Sequence, residues 1–250
     1  LDSQVADRLK YWDITVNDSA GEGLLRRPAG SFFTLVSAVA ASRFAPLTLA
    51  QLFAHPLTYL GYSKSDFKRK AHRFEALLLR GPTPDSGLEG LHERLREVAH
   101  DRELTDEDTQ PLQEMLGQLA TTFKPFLERG KASLKQWVSA HLEVAQTLAN
   151  DETLTRKDSF LEQEDGEALY TCLQNLMHGH NDSDGMSLSD YQQWLEAFLG
   201  QVEVREKYAQ HPRLFIWGPL EARLQTADKI IIGGMNEGTW PNAIKPDPWL

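Results

Sequence analysis

Hydrophobic residues recur at three- and four-residue steps through most of the chain, from about residue 28 to about residue 207. This spacing predicts amphipathic helices, each of which must bury its apolar face against another helix. Breaks are predicted at residues 81–84, 105–111, 150–151 and 181–185, where Gly, Pro, Asn and Asp concentrate. The clearest helical stripe comprises Leu134, Trp137, Val138, Leu142, Ala145 and Leu148.

The two ends of the chain have a different pattern. Near the amino end, residues 14–16 predict a short strand and residues 17–21 a turn. Near the carboxyl end, residues 214–217 are a continuous apolar run, and residues 229–232 read Lys-Ile-Ile-Ile, rich in β-branched side chains. Both segments favour strands buried on both faces, as in a parallel sheet. Between these two runs, a helix is expected to begin at Pro219.

These patterns predict an α/β fold with a dominant helical insertion. The first part of the α/β domain covers residues 1–27, the helical insertion covers residues 28–207, and the chain returns to the α/β domain at residues 208–250. Pro28 stands at a suitable position to open the first helix of the insertion, because the first helical turn accepts proline.

Composition and charge restrict the possible functions. The formal net charge is −10, so the surface repels nucleic acid on average and any DNA contact must be local. Cys172 is the only cysteine, which excludes a disulfide within the chain and fits a reducing cytoplasm. No apolar run reaches the ~18 residues of a membrane-spanning helix. The sequence begins without methionine and stops in a loop-like run, so we expect a segment of a longer polypeptide.

The carboxyl end carries the most specific sequence motifs. Residues 211–224 read His-Pro-Arg-Leu-Phe-Ile-Trp-Gly-Pro-Leu-Glu-Ala-Arg-Leu, and residues 233–241 read Gly-Gly-Met-Asn-Glu-Gly-Thr-Trp-Pro. These stretches resemble the AddB subunits of the AddAB double-strand-break repair helicase/nucleases of alphaproteobacteria. Further segments that resemble this family are residues 18–21, 28–30, 44–46, 55–57, 60–61 and 247–250.

The stretch around residues 229–241 is more distantly similar to a segment late in the second motor domain of UvrD/RecB-like superfamily-one helicases. Active members have a His and a Lys-Gly-Leu-Glu run before the strand, where these groups contact DNA and nucleotide. This chain has Gly-Pro-Leu-Glu-Ala-Arg at residues 218–223 instead. The resemblance therefore implies part of a RecA-like second motor domain with parallel strands, kept as a scaffold, as in the RecC subunit of the related RecBCD complex, plus a mainly α-helical subdomain.

The resemblance also implies partners and cofactors for the parent protein. It would process broken DNA ends in the bacterial cytoplasm together with an AddA-like helicase/nuclease subunit. It would use ATP, Mg²⁺ and, in many members, an iron–sulfur cluster elsewhere in the chain. The Gly-x-x-x-x-Gly-Lys-Ser/Thr phosphate loop is absent from this sequence, and the family's nuclease domain lies further toward the carboxyl end. We therefore predict no catalytic residue and no cofactor within residues 1–250.

Two groups of residues are candidates for contact with DNA or with a neighbouring domain. The first lies near the carboxyl end and comprises Arg213, Arg223, Asn236, Glu237 and Trp240. The last three of these follow the strand predicted at residues 229–232, at the sheet edge where α/β domains bind ligands. The alternative is a tight glycine-rich turn with Trp240 packed inward. The second group is a basic cluster that could follow a DNA backbone, or could simply be a solvated helix face; it comprises Lys64, Lys68, Arg69, Lys70 and Arg73.

No metal site is predicted. Residues 182–185 read Asp-Ser-Asp-Gly, like part of a calcium loop, but His180 and Tyr191 occupy the first and last ligand positions. Ser189 and Gln192 instead suggest a capping box for the next helix. His178 and His180 near Cys172 lack zinc-ligand spacing.

A different class of function also fits the sequence. The acidic balance favours an all-helical protein–protein interaction module without nucleic-acid binding.

Overall fold

The computed structural model describes residues 5, 8–9, 11–14, 16–18, 21–151, 159–179, 185–204, 213–218 and 220–236. The chain divides into two compact units. Residues 23–204 form one, here named the helical unit, and residues 1–22 with 205–250 form the other, here named the terminal unit. A dominant helical content, predicted from the hydrophobic spacing, is confirmed.

The described part of the helical unit contains eight α-helices. They are α1 (Pro28–Ala41), α2 (Pro46–Ala54), α3 (Lys64–Phe74), α4 (Gly87–Asp101), α5 (Asp106–Leu127), α6 (Leu134–Leu148), α7 (Glu164–Gly179) and α8 (Leu188–Leu199). A π-helical turn, Glu75–Leu79, continues α3, and 3-10 turns lie at Leu24–Arg26 and Ser159–Leu161. The predicted stripe of residues 134–148 coincides with α6.

Helix α1 lies at the centre of the helical unit. It packs against α2, α6, α7 and α8, and Phe32, Phe33, Val36 and Val39 are completely buried. A helix that is apolar nearly all round is stable only in such surroundings. At Gly30 a Cβ would lie 2.1 Å from the carbonyl oxygen of Leu24, so only glycine allows the preceding turn to approach this closely.

The amino end of α1 is capped by a residue from a different helix. Arg27 occupies the cap position without a capping side-chain hydrogen bond. The buried carboxylate of Asp165, in α7, accepts a hydrogen bond of 2.8 Å from the backbone N–H of Ala29. A carboxylate is favoured at this end of a helix, where N–H groups are unpaired and the dipole is positive. Asp165 therefore fixes the start of α1 against α7.

Two helix–loop–helix pairs, α5 with α6 and α7 with α8, are joined through their loops. Ala132 and Met186 form an antiparallel bridge with N–H···O distances of 3.0 and 2.9 Å. The indole of Trp137 donates a further hydrogen bond of 2.9 Å to the Met186 carbonyl oxygen. Capping boxes start the two second helices, Ser133 with Gln136 for α6 and Ser187 with Asp190 for α8.

One predicted helix start and one predicted break are wrong, because in each case a capping box begins the helix earlier than expected. The capping box of α8 uses Ser187 with Asp190, two residues before the predicted pair of Ser189 and Gln192. The predicted break at residues 105–111 ends early, because a capping box of Thr105 with Asp108 starts α5 at Asp106. Pro111 therefore lies inside the helix, where it removes one backbone hydrogen bond, to the Glu107 carbonyl oxygen, just after the capped first turn.

The two ends of the helical unit lie side by side. The Leu24 N–H donates a hydrogen bond of 2.8 Å to the Val202 carbonyl oxygen. Here β2 (Glu22–Gly23) pairs with β3 (Glu203–Val204). The hydrophobic core of the described residues runs from Leu24 to Val204, so this unit has a core of its own.

The terminal unit joins the two ends of the chain in a two-stranded parallel sheet. Strand β1 (Asn17–Asp18) pairs with β4 (Phe215–Ile216), with Asn17 opposite Phe215 and Asp18 opposite Ile216. The strand predicted at residues 14–16 therefore lies slightly later, where a turn was expected. The run at 214–217 does contain a strand, but Phe215 is 40% exposed rather than buried.

The larger RecA-like parallel sheet is not present among the described residues. Residues 229–232 were predicted to form a buried strand beside 214–217, but they form none, and Ile231 is 97% exposed. A strand buried on both faces needs a neighbouring strand and a covering layer, and the described residues supply neither. The helix expected after residue 219 is reduced to turns at residues 220–224.

Helix α4 ends with a strained residue that offers a test of the backbone geometry. The Leu104 N–H bonds to the Ala99 carbonyl oxygen and the Glu103 N–H to that of His100, which is the Schellman pattern. Glu103 occupies the left-handed position with φ 50°. Glu103→Gly should raise the free energy of unfolding by about 0.5–1 kcal/mol, because glycine adopts this conformation without steric cost. Chemical denaturation measures this; Glu103→Ala, which keeps the Cβ, should show no such gain.

The cap of α1 offers a second test. Asp165→Ala leaves the N–H of Ala29 buried without its acceptor and should lower the free energy of unfolding by about 1–2 kcal/mol. Asp165→Asn keeps an acceptor oxygen but loses the charge, and should be less destabilising. Equal stability of the Ala variant and the unmodified chain would contradict the role given to Asp165.

Candidate functional site

The predicted basic cluster lies along α3, which Ser63 caps. Most of its cations are engaged within the chain. The Arg69 guanidinium lies 2.5 Å from the Asp66 carboxylate, and that of Arg73 lies 2.6 Å from the carboxylate of Asp108 at the start of α5. Lys70 lies 4.0 Å from Glu114 of α5, and its ammonium is 4.7 Å from the centre of the Tyr62 ring. Lys64 and Lys68 are exposed and make no ion pair with any described residue.

These contacts change the pKa values of the carboxylates. Hydrogen bonds from Arg73 and then Thr105 lower the pKa of Asp108. Hydrogen bonds from Ser63 and then Arg69 lower the pKa of Asp66. Both carboxylates are therefore ionised at neutral pH and oppose the positive charge of α3. Exposed ion pairs of this kind add little stability, but they do reduce the charge that α3 presents to a polyanion.

The described candidates from the carboxyl end are all exposed. Arg213 precedes β4, Arg223 lies in the turns after it, and Asn236 follows the glycine pair of residues 233–234. Asn236 donates its backbone N–H to the Gly234 carbonyl oxygen over 2.8 Å, which closes a tight turn. Glu237 and Trp240 lie outside the described residues.

Exposed apolar side chains concentrate in the terminal unit, and the sequence did not predict them. Among the described residues, all the exposed large hydrophobic side chains except Leu47, Leu127 and Tyr170 belong to this unit. Trp12 is 72% exposed and Leu224 is 102% exposed. The sequence feature that could have indicated them is the apolar run at residues 230–232. Its side chains are exposed because it forms no strand. Exposed apolar groups in such numbers are typical of interaction surfaces.

A serine and a histidine meet at the side of α1, but not as a nucleophile and its base. The Ser31 hydroxyl lies 3.2 Å from Nε2 of His55. The Leu57 N–H donates to Nδ1 of His55, so Nε2 carries the ring proton and donates to Ser31. The Ser31 hydroxyl in turn donates to the Arg27 carbonyl oxygen over 2.9 Å, and burial lowers the pKa of His55. The contact therefore joins α1 to the end of α2 and activates no hydroxyl.

His141 is a strongly perturbed titratable group in the core of the helical unit. It is completely buried, stacked on Phe33 at 3.6 Å between ring centres, and its Nδ1 lies 2.9 Å from the Tyr191 hydroxyl. Its Nε2 has no hydrogen-bond partner. Burial lowers the pKa of His141 to about 3. It is therefore a neutral core residue between α1, α6 and α8.

Within the described residues, no group of three or more His, Cys, Asp and Glu side chains could hold a metal ion. Cys172 is half-buried, and burial raises the pKa of its thiol. His180, Asp182 and Asp184 lie outside the described residues. No helix in the described ranges has both the length and the apolar character needed to cross a membrane.

Comparison with protein-family models, with curated proteins and with solved structures finds no match for this chain. Its function is therefore a proposal from its own residues and contacts.

The buried neutral His141 makes the stability depend on pH. Its pKa is about 3 in the folded chain and ordinarily 6.5, so the unfolded chain binds more protons between these values. Stability is fully retained above pH ~6.5 and falls by up to ~1.4 kcal/mol per pH unit as the pH decreases toward 3. His141→Phe should remove this slope in denaturation experiments at several pH values. Tyr191→Phe, which breaks the same hydrogen bond but keeps the histidine, should retain it.

Proposed function

We propose that this chain is part of a helicase-like second motor domain with its helical insertion, within an AddB-like subunit of a double-strand-break repair helicase/nuclease. In this proposal the chain is a scaffold and a contact surface for an AddA-like subunit and for DNA. The observation that carries it is the parallel pairing of β1 with β4. Two segments at opposite ends of the chain share one sheet, and the whole helical unit lies between them in sequence.

The way in which the helical unit is connected supports an insertion. Its first and last residues are joined by the Leu24–Val202 hydrogen bond and by the β2–β3 pair. An inserted domain needs this arrangement, because the host chain must leave and return at nearly the same place. The motifs at residues 211–224 and 233–241 belong to the returning segment, where the AddB resemblance is strongest.

A scaffold fits the residues better than a motor does. The sequence lacks the phosphate loop that cradles ATP. In the stretch that replaces the helicase Lys-Gly-Leu-Glu run, the carboxylate of Glu221 accepts a hydrogen bond from the Gly218 N–H over 3.0 Å. This carboxylate stabilises a local turn. The ATP, Mg²⁺ and iron–sulfur cluster of the proposed parent would be bound by other parts of the polypeptide.

The exposed apolar residues of the terminal unit support contact with other protein. Ile231 and Leu224 are fully exposed, and Tyr11 is 84% exposed. Covering such side chains removes apolar surface from water, which stabilises a complex by roughly 25 cal/mol per Å² before the costs of association. The exposed Arg213 and Arg223 are the candidates of this unit for contact with DNA phosphates or with the partner subunit.

Capture of the AddA-like subunit by the whole chain tests the scaffold role. Ile231→Asp should weaken capture at least tenfold, because it places a charge within the proposed contact surface, while the fold should be unaffected at this exposed position. Leu47→Asp is the matched control, since Leu47 is 74% exposed but belongs to the helical unit. Affinity is measured by surface plasmon resonance with the purified partner. No capture, or equal loss in both variants, would count against the proposal.

A helical protein–protein interaction module without nucleic-acid binding is the second candidate. The specific observation in its favour is the engagement of Arg69, Lys70 and Arg73 by carboxylates within the chain. Lys64 and Lys68 are the members of the cluster that make no ion pair with a described residue, and the net charge of −10 repels DNA on average.

Salt-dependent binding to single- and double-stranded oligonucleotides separates the two candidates. If the chain guides DNA, fluorescence anisotropy should show binding that weakens steeply as salt rises, because phosphate contacts release counterions. Arg223→Ala should then weaken binding several-fold, and a Lys64→Ala, Lys68→Ala double variant should weaken it less. Capture of the AddA-like subunit without any DNA binding at low salt would support the interaction module instead.

A further inference from the structure

We draw no further inference here: the strongest candidate, the exposed apolar side chains of the terminal unit at Tyr11, Trp12 and residues 230–232, carries none because nothing in the structure shows what covers them.

Discussion

The burial of α1 is the constraint on which the helical unit depends. This helix is apolar on nearly every side, so it can exist only if other helices cover it, and α2, α6, α7 and α8 do so. Its amino end is completed by Asp165 of α7. One of its central rings, that of Phe33, stacks on His141 of α6. The positions of α6, α7 and α8 therefore follow from the need to enclose a single segment that cannot face water.

The bridge between Ala132 and Met186 also stabilises the group of helices that covers α1. Ala132 and Met186 hold the two helix–loop–helix pairs together at their loops, and Trp137 bonds to the same Met186 carbonyl oxygen. Trp137 also stacks on Tyr191, with 5.8 Å between the ring centres. The starts of α6 and α8 are thus fixed relative to each other by backbone pairing and by aromatic packing. The helices that pack over α1 are consequently joined to one another as well as to α1.

The helices could be predicted from the sequence because their information is local. The stripe from Leu134 to Leu148 repeats over four turns, and its first and last residues are those of α6. The start of α5 was harder to predict, because Pro111 masked a capping box that begins six residues earlier. The terminal unit could not be predicted in this way. Whether residues 229–232 form a strand depends on neighbours distant in sequence, and an apolar run alone does not reveal whether they exist.

The prediction of contact residues was limited in the same way, because the sequence shows which residues are charged but not which partners the fold brings to them. The basic cluster of α3 is visible in the sequence, but its neutralisation by Asp108 and Glu114 depends on how α3 packs against α5. Charge counted along the chain therefore overstated the positive surface of this helix. In contrast, the exposure of Arg213 and Arg223 follows from their positions beside a short strand and in a turn, where loops face solvent.

The pairing of Leu24 with Val202 has an evolutionary consequence. Because the chain leaves and re-enters at adjacent points, the distance between these points does not depend on what is folded between them. Helices of the inserted segment can lengthen, shorten or be gained without moving the strands on either side. Variation in chain length among relatives should accordingly accumulate between residues 24 and 202, while the spacing around β1 and β4 stays constant.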